Sequence, residues 1–132
     1  MTDQRLFELA CQALKNAYAP YSKFKVGACV LSADGRTFTG CNVENASYGA
    51  TICGERSAAT RAVSEGVTRF TAIAVATERQ IGWPCGICRQ VLHEFSDDMR
   101  VISGNAATGE FVSVPLTELL PRAFGPRDLE DL

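Results

Sequence analysis

No apolar run in these 132 residues approaches the roughly 20 needed to cross a bilayer. The first residues, M-T-D-Q-R-L-F-E, lack the basic-then-apolar order of an export signal. The expectation is a cytoplasmic protein with no membrane partner. Basic residues are neither in excess nor grouped: 13 Lys plus Arg stand against 15 Asp plus Glu, a net charge of −2. A phosphate-binding face needs the opposite, so nucleic acid is not expected as a partner. Internal repeats, low-complexity tracts and linker-like stretches are also missing. With 46% hydrophobic and 21% charged residues, neither disorder nor a fibrous architecture is favoured. A chain of this length is one domain, 1–132, which buries roughly two-thirds of its unfolded-chain surface.

Cysteine, in contrast, occurs six times, at positions 11, 29, 41, 53, 85 and 88. In a small secreted chain that number would predict disulfides. Here there is no export signal and enough length for a core, so reduced thiols are expected. Such cysteines are either quiet packed residues or reactive or metal-bound ones.

The chain alternates helical and strand patterns. Over residues 4–18, Leu6, Leu9, Ala10, Ala13, Leu14 and Ala17 recur at spacings of three and four, an amphipathic helix that Pro20 closes off. V-G-A-C-V-L (26–31) and T-F-T-G-C-N-V (37–43) flank Asp34-Gly35, a hairpin signal that makes the first two strands antiparallel neighbours. A polar loop (42–52) leads into a helix whose Ala58, Ala59, Ala62 and Val63 form a small-residue face able to lie close on a sheet. T-A-I-A-V-A (71–76) is nearly all apolar, as a central strand covered on both faces would be. A helix through Val91, Leu92 and Phe95 follows. The strands V-I-S (101–103) and F-V-S-V (111–114) are joined by a link too short for a crossover helix, so they run antiparallel if adjacent. L-T-E-L-L-P reads as a last short helix, and the tail G-P-R-D-L-E-D-L is polar apart from its leucines. The order is helix, hairpin, helix, strand, helix, hairpin, helix, an α/β domain.

W-P-C-G-I-C-R-Q (83–90) carries two cysteines three apart at a helix start. Alone, the pair fits a redox couple, two metal ligands or two packed thiols. T-I-C-G-E-R (51–56) supplies Cys53 at a second helix start, with Glu55 two positions on. Cys53, Cys85 and Cys88 together are three soft donors, a set that suits zinc. His93 lies five residues after Cys88, about 140° round the helix, and points elsewhere. Cys11, Cys29 and Cys41 read as packed thiols. With no fourth protein ligand, one position stays open for water, as in catalytic sites. Three thiolates leave net negative charge on the metal; two helix N-termini and the guanidinium of Arg56 can offset it. Glu55 is within reach of the open position, where it can take a proton from a water made acidic by the metal. Arg89 and Gln90, just after Cys88, are candidates to support the metal loop.

Cys53-Gly54-Glu55 followed by Pro84-Cys85-Gly86-Ile87-Cys88 resembles the signature of the zinc-dependent nucleoside and nucleobase deaminases. Y-A-P-Y-S-K-F (18–24), G-C-N-V-E-N-A-S-Y (40–48), C-G-I-C-R-Q-V (85–91) and E-L-L-P-R-A-F-G-P (118–126) narrow the resemblance to cytidine deaminases of the short, all-cysteine type, in the right order along the chain. The resemblance implies a three-layer α-β-α fold with a mixed five-stranded sheet. It implies one Zn2+ per subunit on Cys53, Cys85 and Cys88, with Glu55 shuttling protons, so that cytidine and 2'-deoxycytidine become uridine and 2'-deoxyuridine with release of ammonia, a pyrimidine salvage reaction. It also implies that Asn42 and Glu44 grip the ribose hydroxyls, that Phe24 stacks on the base and that the backbone of Gly54 lies near it. Ala46, Tyr48 and Phe124 would reach or close a neighbouring subunit's site, which makes a homotetramer with shared active sites. Position 54 departs from the family, which commonly has alanine there.

Other readings explain less. A dithiol oxidoreductase leaves Cys53 and Glu55 idle, and a zinc-stabilised binding module needs a fourth ligand. A deaminase of a cytosine antibiotic such as blasticidin S shares the metal motifs, but N-V-E-N-A-S-Y favours a nucleoside.

Overall fold

The computed structural model describes residues 1–130; the last two residues of the polar tail lie outside the described residues. The first helix, α1 (Asp3–Leu14), starts where the Thr2 hydroxyl accepts the Arg5 N–H at 3.1 Å. It buries Leu6, Phe7, Ala10, Ala13 and Leu14, and each large apolar side chain so buried contributes about 1.5–3 kcal/mol. It stops six residues before Pro20, because the N–H groups of Lys15, Asn16 and Ala17 each bond back three residues and tighten the end. Tyr18 then turns away to bridge Val43. Ala17 therefore lies outside the helix predicted for it.

Strands β1 (Val26–Ser32) and β2 (Thr37–Cys41) form the predicted hairpin, with Gly35 at φ +90° in its turn. After a 3-10 turn at Tyr48–Ala50 come α2 (Gly54–Ser64), β3 (Phe70–Thr77), α3 (Gly86–His93), β4 (Arg100–Asn105), β5 (Phe111–Pro115) and the one-turn α4 (Leu116–Leu119). Pro126–Leu129 forms a second 3-10 turn. Phe95 falls two residues beyond α3, yet its ring still packs on Phe70 at 5.1 Å between centroids.

The sheet has five strands in the order β2-β1-β3-β4-β5, with β3 in the middle as its apolar sequence predicts. Both predicted antiparallel pairs, β1–β2 and β4–β5, are present. Between them β1 also pairs antiparallel with β3, and β3 runs parallel to β4, so the sheet is mixed. Alternate residues of β3 face opposite layers: Ala72, Ala74 and Ala76 pack with α1, while Ile73 and Val75 pack with Ala58, Ala59 and Ala62 of α2 and Leu92 of α3. Small residues let the helices come close. A Cβ on Gly27 would lie 2.1 Å from the Ala10 carbonyl oxygen, and one on Gly40 would lie 2.3 Å from the Ala58 nitrogen. Helix α2 is thereby pressed onto β2, and its first residues meet those of α3.

Candidate metal centre and active site

Cys53 immediately precedes α2 and Cys85 immediately precedes α3, both in extended backbone, and neither side chain caps its own helix. Cys88 sits in the first turn of α3 and is fully buried. Two helix starts thus bring three thiols together, their sulfurs all within 4.8 Å of one another. A tetrahedral zinc with Zn–S bonds of about 2.3 Å sets its sulfurs about 3.8 Å apart. Cys53 Sγ and Cys85 Sγ are 3.8 Å apart, so spacing and donor softness both fit zinc. Among the described residues no other His, Cys, Asp or Glu joins the cluster.

The charges around the thiols are arranged as the residue types require. Arg56 Nη2 donates to Cys53 Sγ at 3.4 Å, while its Nε is buried without a partner. Hydrogen bonding from Cys88, and then from Arg56, holds the Cys53 thiol down to about 5. Sharing that hydrogen bond, and burial, push Cys88 up. Cys29 lies in the core of the sheet and burial raises it to about 11; Cys11 and Cys41, half-buried, are also raised by burial. His93 packs beside Gly125, where an added Cβ would lie 2.5 Å from its Nε2.

Glu55 is only 5% exposed, in the first turn of α2. Burial, reinforced by the nearby Cys53 charge, lifts its carboxyl from 4.5 to about 7. Without metal, this raised carboxyl makes stability depend on pH. Below pH 4.5 folded and unfolded chains both carry the proton. Between 4.5 and 7 the unfolded chain gives it up while the folded one holds it, so stability falls and then levels off. Glu55→Gln removes this liability. Metal-free Glu55→Gln should match the parent near pH 4.5 and exceed it by about 3 kcal/mol above pH 7. Urea unfolding of chelator-treated samples at pH 5 and pH 8 measures it; a gap independent of pH would contradict the burial account.

The two residues after Cys88 hold backbone carbonyls. Arg89 Nε donates to the Pro84 oxygen at 2.7 Å and Nη1 to the Leu119 oxygen at 2.9 Å, and Gln90 Nε2 donates to the Phe124 oxygen at 2.8 Å.

Asn42, Glu44, Phe24 and Gly54 form one connected neighbourhood. The buried Asn42 amide accepts from the Val26 N–H at 2.9 Å and donates to the Phe24 carbonyl at 2.8 Å. The Glu44 carboxylate accepts the N–H groups of Tyr21 and Ser22 at 3.0 and 3.1 Å, and also the Ser22 hydroxyl. Those bonds, led by the Ser22 hydroxyl, keep it below the usual carboxylate range. Both polar side chains therefore reach the segment that carries Phe24, whose ring is exposed. Sequence reasoning missed Tyr21 and Ser22 as their partners. A Cβ on Gly54 would meet Val26 at 3.2 Å and the Asn42 nitrogen at 3.4 Å, so alanine there needs only a small shift of its neighbours. Ala46, Tyr48 and Phe124 are all exposed, Tyr48 and Phe124 at 76% and 61%. Tyr48 lines a cleft of about 360 Å³ with Tyr21, Ser22, Glu44, Asn45 and Thr51.

Residues 1–104 match the family model described as the cytidine and deoxycytidylate deaminase zinc-binding region. The chain belongs to this deaminase family. Among its relatives, the cytidine deaminase of Halalkalibacterium halodurans is 46% identical, aligned over 99% of this chain and 100% of the relative. The cytidine deaminase of Sporosarcina psychrophila is 42% identical over 98% of this chain and 96% of the relative. The crystal structure of cytidine deaminase from Burkholderia pseudomallei superposes with a TM-score of 0.89 at 45% identity, covering 94% of this chain and 100% of that one. The deaminase fold inferred from the motifs is thus the fold found. Zinc is the cofactor of this deaminase, and the Cys53, Cys85 and Cys88 cluster could hold it. No helix among the described residues is long and apolar enough to cross a membrane.

Proposed function

We propose that this chain hydrolyses cytidine and 2'-deoxycytidine to uridine and 2'-deoxyuridine, releasing ammonia. The observation that carries the proposal is the gathering of three thiols at two helix starts, with a buried glutamate two residues after the first of them. Close relatives named cytidine deaminase support the choice of substrate. When bound, zinc supplies Lewis acidity that makes a coordinated water acidic near neutral pH. Cys53, Cys85 and Cys88 hold the metal and Arg56 offsets the thiolate charge. Glu55 takes a proton from the water, holds it on a carboxylate shielded from solvent, and hands it to the ring nitrogen next to the amino-bearing carbon. A second proton passes through the same carboxylate to the departing amino group, so that water and cytidine become uridine and ammonia. Phe24 offers its exposed ring to the base, the Gly54 backbone lies beside it, and Asn42 and Glu44 take the ribose hydroxyls with the polar capacity their backbone bonds leave free.

We further infer a homotetramer acting in pyrimidine salvage in the cytoplasm, as one domain over 1–132. Tyr48 and Phe124 expose aromatic rings that such an assembly would cover. In the tetramer Ala46, Tyr48 and Phe124 would complete a neighbour's site. A thiol-only metal centre suits a reducing compartment. One preparation tests these points: absorbance assays on cytidine, deoxycytidine and CMP, with zinc content and sedimentation measured on the same sample. Turnover of the nucleosides by a zinc-loaded tetramer is expected. Silence on both nucleosides with zinc present overturns the activity, and an active monomer overturns the shared site.

A further inference from the structure

The C-terminal arm from Leu120 to Gly125 belongs to no strand or helix. What it touches is α3, the helix whose first turn carries Cys88 and whose preceding residue is Cys85. Two α3 residues, Gln90 and His93, meet the arm itself and a third, Arg89, holds the last residue of α4 from which it springs; the three lie at relative positions 2, 5 and 1, on neighbouring faces of the helix. Arg89 donates to the Leu119 carbonyl at 2.9 Å, Gln90 donates to the Phe124 carbonyl at 2.8 Å, and His93 closes on the buried Gly125 so tightly that a Cβ there would sit 2.5 Å from its Nε2. Among the described residues, Arg89 is the one of the three whose side chain has a second hydrogen-bond partner. Its Nε donates at 2.7 Å to the carbonyl of Pro84, the residue directly before Cys85.

We infer that Arg89 is a positioning residue that couples the metal loop to the C-terminal arm, so that retention of the metal and the placement of Phe124 rise and fall together. A guanidinium is a planar fork with donors at fixed angles. Once its Nη1 is held by the carbonyl that ends α4, the direction of Nε is set, and with it the position of the Pro84 oxygen. That oxygen belongs to the peptide whose nitrogen is that of Cys85. The Cys85 side chain is exposed and has no capping bond to orient it, unlike the fully buried Cys88. Its backbone is tied to Arg89 on both sides: the Cys85 carbonyl accepts the Arg89 N–H at 3.0 Å, and the guanidinium anchors the carbonyl of the peptide that precedes it. In the other direction, a metal that fixes Cys85 fixes the Pro84 carbonyl, holds the fork, and steadies the arm that carries Phe124. Because coupling between two sites is reciprocal, removing the metal loosens the arm by the same factor by which loosening the arm weakens metal retention. The inference rests on the three cysteines being the zinc ligands, and does not depend on which nucleoside is the substrate.

The test uses the zinc-loaded full chain, its Arg89→Ala and Arg89→Lys variants, and two readouts: zinc release to a chromophoric chelator, and amide hydrogen exchange of the segment 119–126. Arg89→Ala should speed both by about tenfold, while exchange in β3 stays as in the parent. Arg89→Lys keeps the charge and stem without the fork, and should speed both in the same direction. It also carries the test if the alanine variant does not fold. Stripping zinc from the parent should accelerate exchange of 119–126. Unchanged zinc release or unchanged exchange in the variants overturns the coupling, as does acceleration spread equally through β3, which would mark general destabilisation. A parent chain that binds no zinc would instead overturn the thiol assignment itself, so the two failures are distinguishable.

Discussion

Glu55→Gln is expected to keep its zinc and lose deamination by a factor of about 10² to 10⁴, the usual contribution of a positioned general acid and base. Glutamine has the size of glutamate and can sit in the same buried first turn of α2, but it can neither accept the proton of water nor return one to the ring nitrogen. None of the three sulfurs is touched, so metal content should equal that of the parent. Zinc analysis and an absorbance assay on one sample check this directly. Near-normal turnover would remove Glu55 from the mechanism, whereas loss of zinc along with activity would show that the substitution disturbed the metal loop. The same variant is expected to gain stability when metal-free at alkaline pH, so its two effects have opposite signs. A residue that weakens the fold in order to hold a proton where chemistry needs it would behave in this way.

The second large effect is expected from Cys88→Ala. Cys88 is the fully buried member of the cluster, and its removal leaves two sulfurs, too few to hold zinc against solvent. Zinc content should fall below about a tenth of the parent's, and activity with it. Stability provides an independent readout. A ligand that binds only the folded state contributes about 4 kcal/mol when present at a thousand times its Kd. Chelation should therefore lower the melting temperature of the parent and leave that of Cys88→Ala nearly unmoved. A variant that retained full zinc, with a melting temperature still sensitive to chelator, would mean that the metal lies elsewhere.

The thiol cluster of the candidate site was legible in the sequence. The spacing of Cys85 and Cys88, and the glutamate two after Cys53, are local features, and they sit at helix starts that local sequence also marks. The hairpins were legible for the same reason: Asp34-Gly35 and the short link after β4 leave little freedom in how the flanking strands return. Less visible was what the polar groups of the loop do at home. Asn42 and Glu44 stand out in sequence as the two polar residues that the family resemblance assigns to the ribose, yet apart from the Ser22 hydroxyl their bonds go to backbone groups of residues 21–26. A backbone N–H or carbonyl has the same identity at every position, so no sequence pattern announces it as a partner. The early end of α1 has a similar origin: Tyr18 is drawn off by Val43, a residue of the loop beyond β2.

By itself, then, the sequence determined the elements, the two hairpins, the zinc-suited thiols and the acid beside them, because periodicity, turn chemistry and donor type are written in neighbouring residues. Only the tertiary structure decided that β1 pairs antiparallel with β3 and β3 parallel with β4, which puts the starts of α2 and α3 together. It alone decided that Gly27 and Gly40 are where helices press against the sheet, and that Arg89 bridges Pro84 to Leu119. These are contacts between distant segments made through backbone atoms, and their energies depend on where the folded chain brings those atoms rather than on which residues carry them.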